Sequence, residues 1–171
     1  MPEKGQWFTL DAIARLSPNE QKKIRLTLLG SPPPYRYNLK EELLNYIEQL
    51  QLLCQVEVHD FVGDPNDFIA ISDIGLIPSI MPDPFPTTVL ESLMHGKPVI
   101  VTNHGGAAEI IQTGINGITI PPNDVTSFTN ALRFFIENSA DYNVLSQNAR
   151  KTYEDHLTIE QFRLRFLNAF S

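Results

Sequence analysis

The chain has 171 residues, 42% hydrophobic and 19% charged, a length and texture suited to one soluble globular domain. Thirteen Lys and Arg against twenty Asp and Glu leave a net charge of −7, which excludes a global basic field for nucleic acid or anionic lipid but not a local basic pocket. The single Cys54 excludes an intrachain disulfide and fits a reducing compartment, no stretch approaches the roughly 18 apolar residues of a membrane span, and the first five residues lack the apolar core of a signal peptide. Cys54 is expected to be a buried small apolar residue.

In chain order, Phe8, Ala12, Ile13 and Leu16 recur at helical spacing and predict a helix over Trp7 to Leu16. Ile24 to Leu29 reads as a strand ended by Gly30. Leu39, Leu43, Leu44, Ile47 and Leu50 form one face of a helix between Leu39 and Leu53. Val56 to Val62 is strand-like, Asp67 to Ser72 a turn or two of helix, and Ile74 to Ile77 a strand stopped by Pro78. A helix over Thr87 to His95, a strand over Pro98 to Val101, a short helix at Glu109 to Gln112 and a strand at Gly117 to Ile120 follow. This repeated β-then-α order argues a parallel sheet with helices on both faces.

Beyond Pro121 and Pro122 the pattern becomes wholly helical. Val125, Phe128, Leu132, Phe135 and Ile136 make one stripe, with Asn123 or Asp124 as N-cap. Two more helices are predicted, near Tyr142 to Glu154 and Ile159 to Phe170. The stripe Ile159, Phe162, Phe166, Leu167 and Phe170 is expected to face the core. The whole of 1–171 is one domain, its C-terminal helices starting near 124. Ser31 to Tyr35, with three prolines, reads as a stiff surface loop after a strand.

Several familiar sites are excluded. Gly96 and Lys97 are followed by Pro98 where a phosphate-binding loop needs Ser or Thr, and no G-x-G-x-x-G follows a predicted strand. His59, His95, His104 and His156 lie far apart, with no H-E-x-x-H and no cysteine pair, so no metal site is expected.

The densest signal is the segment from Pro78 to Glu91. A strand ends at Pro78, a stiff loop crosses Asp83, and a helix starts near Pro86, a residue suited to a first helical turn. The free amides of Thr87 and Thr88 then sit at the positive end of the helix dipole, a ready anion site at the carboxyl end of a parallel strand. Asp83 and Glu91, eight residues apart, are poorly spaced to share a proton but suit two contacts along one extended ligand. A carboxylate accepting from paired hydroxyls is a natural reader of a sugar or ribose. The alternative, on an equal footing here, is that Asp83 caps a loop and Glu91 is solvated.

The run Asp83-Pro84-Phe85, Leu90-Glu91-Ser92-Leu93-Met94, Gly96, Pro98-Val99-Ile100, Gly105-Gly106, Glu109 and Gly114-x-Asn116-Gly117 resembles the C-terminal half of family-4 glycosyltransferases. Those are GT-B enzymes that bind nucleotide sugars between two Rossmann-like domains. The likeness starts at Lys4-Gly5 and covers nearly the whole chain. It implies a Rossmann-like donor-binding domain of a retaining, metal-independent transferase that moves a sugar from a nucleoside diphosphate to an acceptor hydroxyl. By the same match Asp83 approaches the donor sugar, Glu91 accepts from the ribose, and Thr87 and Thr88 hold the distal phosphate. Lys4 matches the lysine that neutralises the diphosphate, Phe85 lines the donor, and Phe61, Val62 and Gly63 border the base. Gly105-Gly106 matches a turn near the sugar, and a purely structural turn is an equal reading; Lys97 matches no site and reads as solvated.

Three departures accompany the resemblance. Asp83 stands where the family usually has Glu, a side chain shorter by one bond of about 1.5 Å. Pro86 replaces a frequent Gly. The family's strand ending in Gly-Arg, and the acceptor-binding domain before it, have no counterpart ahead of Lys4. The expected partners are therefore a nucleotide-sugar donor and a missing N-terminal acceptor domain, with no nucleic acid and no membrane span. The expected sheet lacks its first strand and carries an exposed edge. A cytoplasmic location, with any peripheral membrane attachment belonging to the absent half, and a role in polysaccharide or glycoconjugate synthesis follow by family. The competing readings are a non-catalytic interaction module and a nucleotide-sugar epimerase of the same architecture.

Overall fold

The computed structural model describes residues 2–169. Helix α1 (Gln6–Ala14) and the short α2 (Pro18–Gln21) precede β1 (Leu26–Leu29), then α3 (Leu39–Gln49) leads into β2 (Val56–His59). Next come α4 (Asn66–Ile71), β3 (Gly75–Ile77), α5 (Thr87–Met94), β4 (Val99–Thr102), α6 (Ala107–Ile110) and β5 (Gly117–Ile120). Three helices close the chain: α7 (Val125–Glu137), α8 (Ser139–His156) and α9 (Ile159–Ala169).

All pairings between strands are parallel, and they fall into two sheets. β1 pairs with β2, Leu26 opposite Val56, while β3, β4 and β5 pair in that order with Gly75 opposite Val99 and Val99 opposite Gly117. Successive side chains of a strand point to opposite faces. In β4 all four residues are buried, with Ile100 in one apolar cluster and Val99 and Val101 in another. The first cluster joins residues of α1, α3 and α7 to both sheets; the second joins α5, α6 and α8 to β3 and β4. Helices therefore cover both faces, as a purely parallel sheet requires. Phe128 of α7 is fully buried against Phe8 of α1, ring centroids 5.1 Å apart.

Local capping fixes the entry to β1. The Gln21 side-chain amide donates to the carbonyls of Ile13, Ala14 and Leu16, satisfying acceptors that the end of α1 leaves open. Ser17 and Glu20 form a reciprocal capping box on α2, and Glu20 also accepts from Arg133 of α7 at 2.6 Å. That guanidinium, with the Ser17 hydroxyl and amide behind it, holds the Glu20 carboxyl at about 2 instead of its ordinary 4.5. A carboxyl lowered in the folded state stabilises above its unfolded value, and the contribution is lost as pH falls through the folded value. The melting-temperature gap between the parent and Glu20→Gln should thus be full at neutral pH and close between 4.5 and about 2. A gap that persists unchanged to the acid end would contradict this account of the pair.

Most predicted elements appear within a few residues of their expected bounds. Asp124, one of the two proposed caps, starts α7 by accepting from the Ser127 amide at 3.0 Å. Three expectations are corrected. Cys54 is exposed, because the tight turn between α3 and β2 leaves it on the rim, where Leu52 fills the interior. Leu44 of α3 is exposed as well, since the buried stripe of that helix is Leu39, Leu43 and Ile47. On α9 the residues Ile159, Phe162, Phe166 and Leu167 are exposed, with the Phe162 and Phe166 rings stacked on one another; Phe170 lies outside the described residues. Spacing marks an apolar face on α9, but no other element among the described residues lies over that face to bury it.

Candidate functional site

Within each sheet the parallel strands send their following loops to one end, where open α/β domains bind ligands. Lys4 reaches that end because Gly5 lets the chain turn there. Gly5 has φ +84°, and a Cβ on it would sit 2.1 Å from the carbonyl oxygen of Pro78, so only glycine allows this approach. The Gly5 carbonyl then accepts from the Thr9 amide at 2.8 Å and from the Thr9 hydroxyl at 2.9 Å, fixing the first turn of α1. The Glu3 carbonyl accepts from the Ile80 amide at 2.9 Å, tying the same turn to the loop after β3.

Lys4 Nζ donates to Asp83 Oδ2 at 2.7 Å across 79 positions of sequence. The lysine side chain is half exposed and the aspartate about one fifth exposed, so the charges meet at an accessible surface. Asp83 is held from behind by the loop after β4. The Gly106 amide donates to the Asp83 carbonyl at 3.1 Å. A Cβ on Gly105 would lie 2.3 Å from that carbonyl, and one on Gly106 would lie 1.9 Å from the Pro84 carbonyl. The glycine pair is therefore a backbone platform under Asp83 and Pro84.

Above this platform α5 begins, with Pro86 as its N-cap in extended conformation. Val89 is the first residue of α5 whose amide bonds back, to the Pro86 carbonyl at 3.1 Å; Thr87 and Thr88 are exposed, their amides at the open end of the helix. Glu91 follows Thr87 by one turn and shares its face. Lys4 and Asp83 thus meet at the loop after β3, and the two threonine amides and Glu91 follow that loop on the first turns of α5. Cationic and amide donors stand at one end and a carboxylate acceptor at the other, an arrangement that can hold a ligand with both anionic groups and hydroxyls.

The remaining expected residues divide. Phe85 is partly buried, packing on the second cluster with its ring edge near Gly106, so it buttresses the loop. Phe61 is 76% exposed on the loop after β2, where its amide donates to the Ser31 hydroxyl at 3.0 Å, and Val62 follows it half-buried. No hydrogen bond or ion pair joins Phe61 or Val62 to the Lys4–Asp83 pair among the described residues. Lys97 is not simply solvated, since its ammonium donates to the Ala70 carbonyl at 2.8 Å and ties α4 to the turn before β4.

Sequence reasoning misses His104 and Thr102. The Thr102 hydroxyl donates to the Ser79 carbonyl at 2.8 Å, and His104 Nε2 lies 2.9 Å from the same oxygen. Together they clamp the loop after β3 to the loop after β4. The available signal is the position of His104 directly before the glycine pair. Among the described residues no cluster of three or more His, Cys, Asp or Glu is placed to hold a metal ion, and no helix is long and apolar enough to cross a membrane.

Parallel strands with helices on both faces define a Rossmann-like domain, with a polar cluster at the strand ends. The family model described as glycosyl transferases group 1 matches residues 1–152, and the chain belongs to that family. It is 26% identical over 162 residues to the putative colanic acid biosynthesis glycosyltransferase WcaL of Salmonella typhimurium, covering 90% of this chain and 38% of that one. The crystal structure of Anabaena Alr3699/HepE in complex with UDP superposes with a TM-score of 0.90 at 25% identity, over 99% of this chain and 46% of that one. A C-terminal domain of the group 1 protein LpcC from Francisella tularensis shares the fold, with a TM-score of 0.80 and 24% identity, over 93% of this chain and 82% of that one. The fold is thus that of a C-terminal GT-B domain. The chain spans less than two fifths of the curated relatives it matches.

Proposed function

We propose that this chain is the donor-binding domain of a retaining, metal-independent glycosyltransferase that uses a nucleoside diphosphate sugar. The observation that carries the reading is the Lys4–Asp83 pair held at 2.7 Å beside the start of α5. In this reading the diphosphate competes with Asp83 for Lys4 and extends onto the amides of Thr87 and Thr88. Helix-end amides and a cation stabilise the diphosphate as the bond to the sugar breaks, and the acceptor hydroxyl oxygen bonds to the sugar carbon from the same face while its proton passes to the departing diphosphate oxygen. Asp83 orients the sugar, Glu91 accepts from the ribose hydroxyls, Phe61 and Val62 border the base, and Phe85 supports the loop from below. The acceptor would be met by a second domain, and the product would be a polysaccharide or glycoconjugate, in keeping with relatives such as the colanic acid protein.

HepE was crystallised with UDP, which makes uridine nucleotides the first candidates. Thermal unfolding against UDP, GDP, ADP and dTDP should give a shift with one base, about 2.7 kcal/mol at a hundredfold excess over Kd. Glu91→Ala should abolish that shift. Lys4→Ala should weaken UDP about 10- to 100-fold, the loss expected for one hydrogen bond to a charged group, and leave uridine binding unchanged. No shift with any nucleotide, or equal losses for UDP and uridine in Lys4→Ala, would overturn the assignment.

A further inference from the structure

We propose that His104 is a positioning residue for the diphosphate: acting through the Ser79 carbonyl, it holds the turn that carries Lys4 in place beside Asp83. The inference rests on the nucleotide-sugar reading above and adds a residue which that reading does not use. The register of β3 shows why side chains are needed here. Its last pair with β4 is Ile77 with Val101, and Pro78, which has no amide hydrogen, cannot extend the ladder. Ser79 lies just past that end and is buried. Two side chains from the end of β4 meet its carbonyl, the Thr102 hydroxyl at 2.8 Å and His104 Nε2 at 2.9 Å. A carbonyl oxygen only accepts, so Nε2 carries the hydrogen. Thr102 alone would satisfy the buried oxygen. The imidazole adds a second donor from the loop beyond the strand, which uses the other lone pair and fixes how the Ser79 peptide is oriented.

Ser79 stands between the supports of the charged pair. Its neighbours carry the Lys4 turn: the Ile80 amide donates to the Glu3 carbonyl at 2.9 Å, and the Pro78 carbonyl abuts Gly5, where a Cβ would fall 2.1 Å from its oxygen. The two glycines that follow His104 carry Asp83, through the Gly106 amide at 3.1 Å and the close approach at Gly105. His104 is thus the side chain that joins the support of Lys4 to the support of Asp83. The end of β4 from which it projects is itself fixed, since the Asn103 amide donates to the Ile120 carbonyl of β5 at 2.8 Å. An ion pair at an accessible surface orders little by itself. Once a diphosphate draws the Lys4 ammonium from the Asp83 carboxylate, the support of the turn, and no longer the ion pair, keeps that ammonium in place. The link from Glu3 through Ile80 and Ser79 to His104 supplies this support.

The test uses the full chain, titrated with UDP and with uridine, or with the matching diphosphate and nucleoside if another base shifts the parent. His104→Leu should weaken the diphosphate about tenfold, the worth of about one hydrogen bond, and leave the nucleoside within about twofold. Its melting temperature should fall by only about 2–4 °C, because Thr102 still pairs the Ser79 carbonyl. His104→Gln, whose amide nitrogen can take the place of Nε2, should return the affinity to within about threefold of the parent. His104→Asn, one bond too short, should not, and it reads the same loss if the leucine variant fails to fold. Added to Lys4→Ala, His104→Leu should change diphosphate affinity by less than about twofold, because its effect runs through Lys4. Unchanged diphosphate affinity in His104→Leu, equal losses for diphosphate and nucleoside, or a second tenfold loss on top of Lys4→Ala would overturn the role of His104 alone. A parent that binds no nucleoside diphosphate would overturn the proposed function, and this role with it.

Discussion

Gly106→Ala is expected to lower stability by about 3 kcal/mol, the upper range for overpacking a tight site. The new methyl would fall 1.9 Å from the Pro84 carbonyl, where the obstacle is backbone and cannot rotate aside. The backbone angle at Gly106 is φ −67°, which alanine adopts freely, so the cost is purely one of contact. Relief requires Asp83 and Pro84 to move off their platform, which pulls Asp83 from Lys4. Denaturant unfolding should show the loss, and the nucleotide-induced stabilisation should fall with it. Gly63→Ala is the control for stability without nucleotide: a Cβ there would meet nothing within 4 Å, and the unliganded variant should stay within about 0.5 kcal/mol of the unliganded parent. Equal behaviour of the two variants would dismiss the platform.

Phe128→Ala should cost about 3–5 kcal/mol, the usual range for deleting a buried aromatic ring. The ring is fully buried in the first cluster and meets Phe8 at 5.1 Å, joining α1 to α7 beside the Thr129 hydroxyl that donates to the Ala12 carbonyl. For a domain of this size the melting temperature should drop by roughly 10 °C. Affinity for UDP, measured well below the new transition, should remain within about threefold, because the ring sits in the first apolar cluster against Phe8, and none of Lys4, Asp83, Thr87, Thr88 and Glu91 belongs to that cluster. A large loss of affinity in the folded variant would mean that α1 carries Lys4 out of place when its packing loosens.

The order of elements is legible because each strand and helix writes its period into a few consecutive residues. Boundaries are less so. Val56 to Val62 reads as one strand, yet pairing ends at His59, where Phe61 turns its amide to the Ser31 hydroxyl. Nothing in the local pattern of Val56 to Val62 announces that bond. The division into two sheets is equally hidden, since a strand's sequence reports how buried its faces are and not which strand lies beside it. The stripe on α9 meets the same limit: periodicity marks an apolar face, and only the structure shows that no element among the described residues covers it.

The site is legible in outline. Asp83, Glu91 and the start of α5 lie within a dozen residues and can be read as one local device. Lys4 connects to Asp83 only through the family resemblance, because 79 residues separate them. His104 escapes sequence reasoning because a single histidine has no spacing partner, and its bond to the Ser79 carbonyl depends on how two loops meet. Gly105 and Gly106 stand between two roles in the sequence, and the close approach of Asp83 and Pro84 supplies a structural reason for both.

The exposed position of Cys54 has a practical side. It is the only thiol in the chain, and it sits just before β2, at the opposite end of that strand from the loop carrying Phe61. A maleimide dye will therefore attach at one defined point without mutagenesis, leaving the loops at the carboxyl ends of the strands unobstructed. The same accessibility means that preparations left in air without reductant will acquire disulfide-linked dimers through that turn, dissolved oxygen taking up the two electrons and two protons.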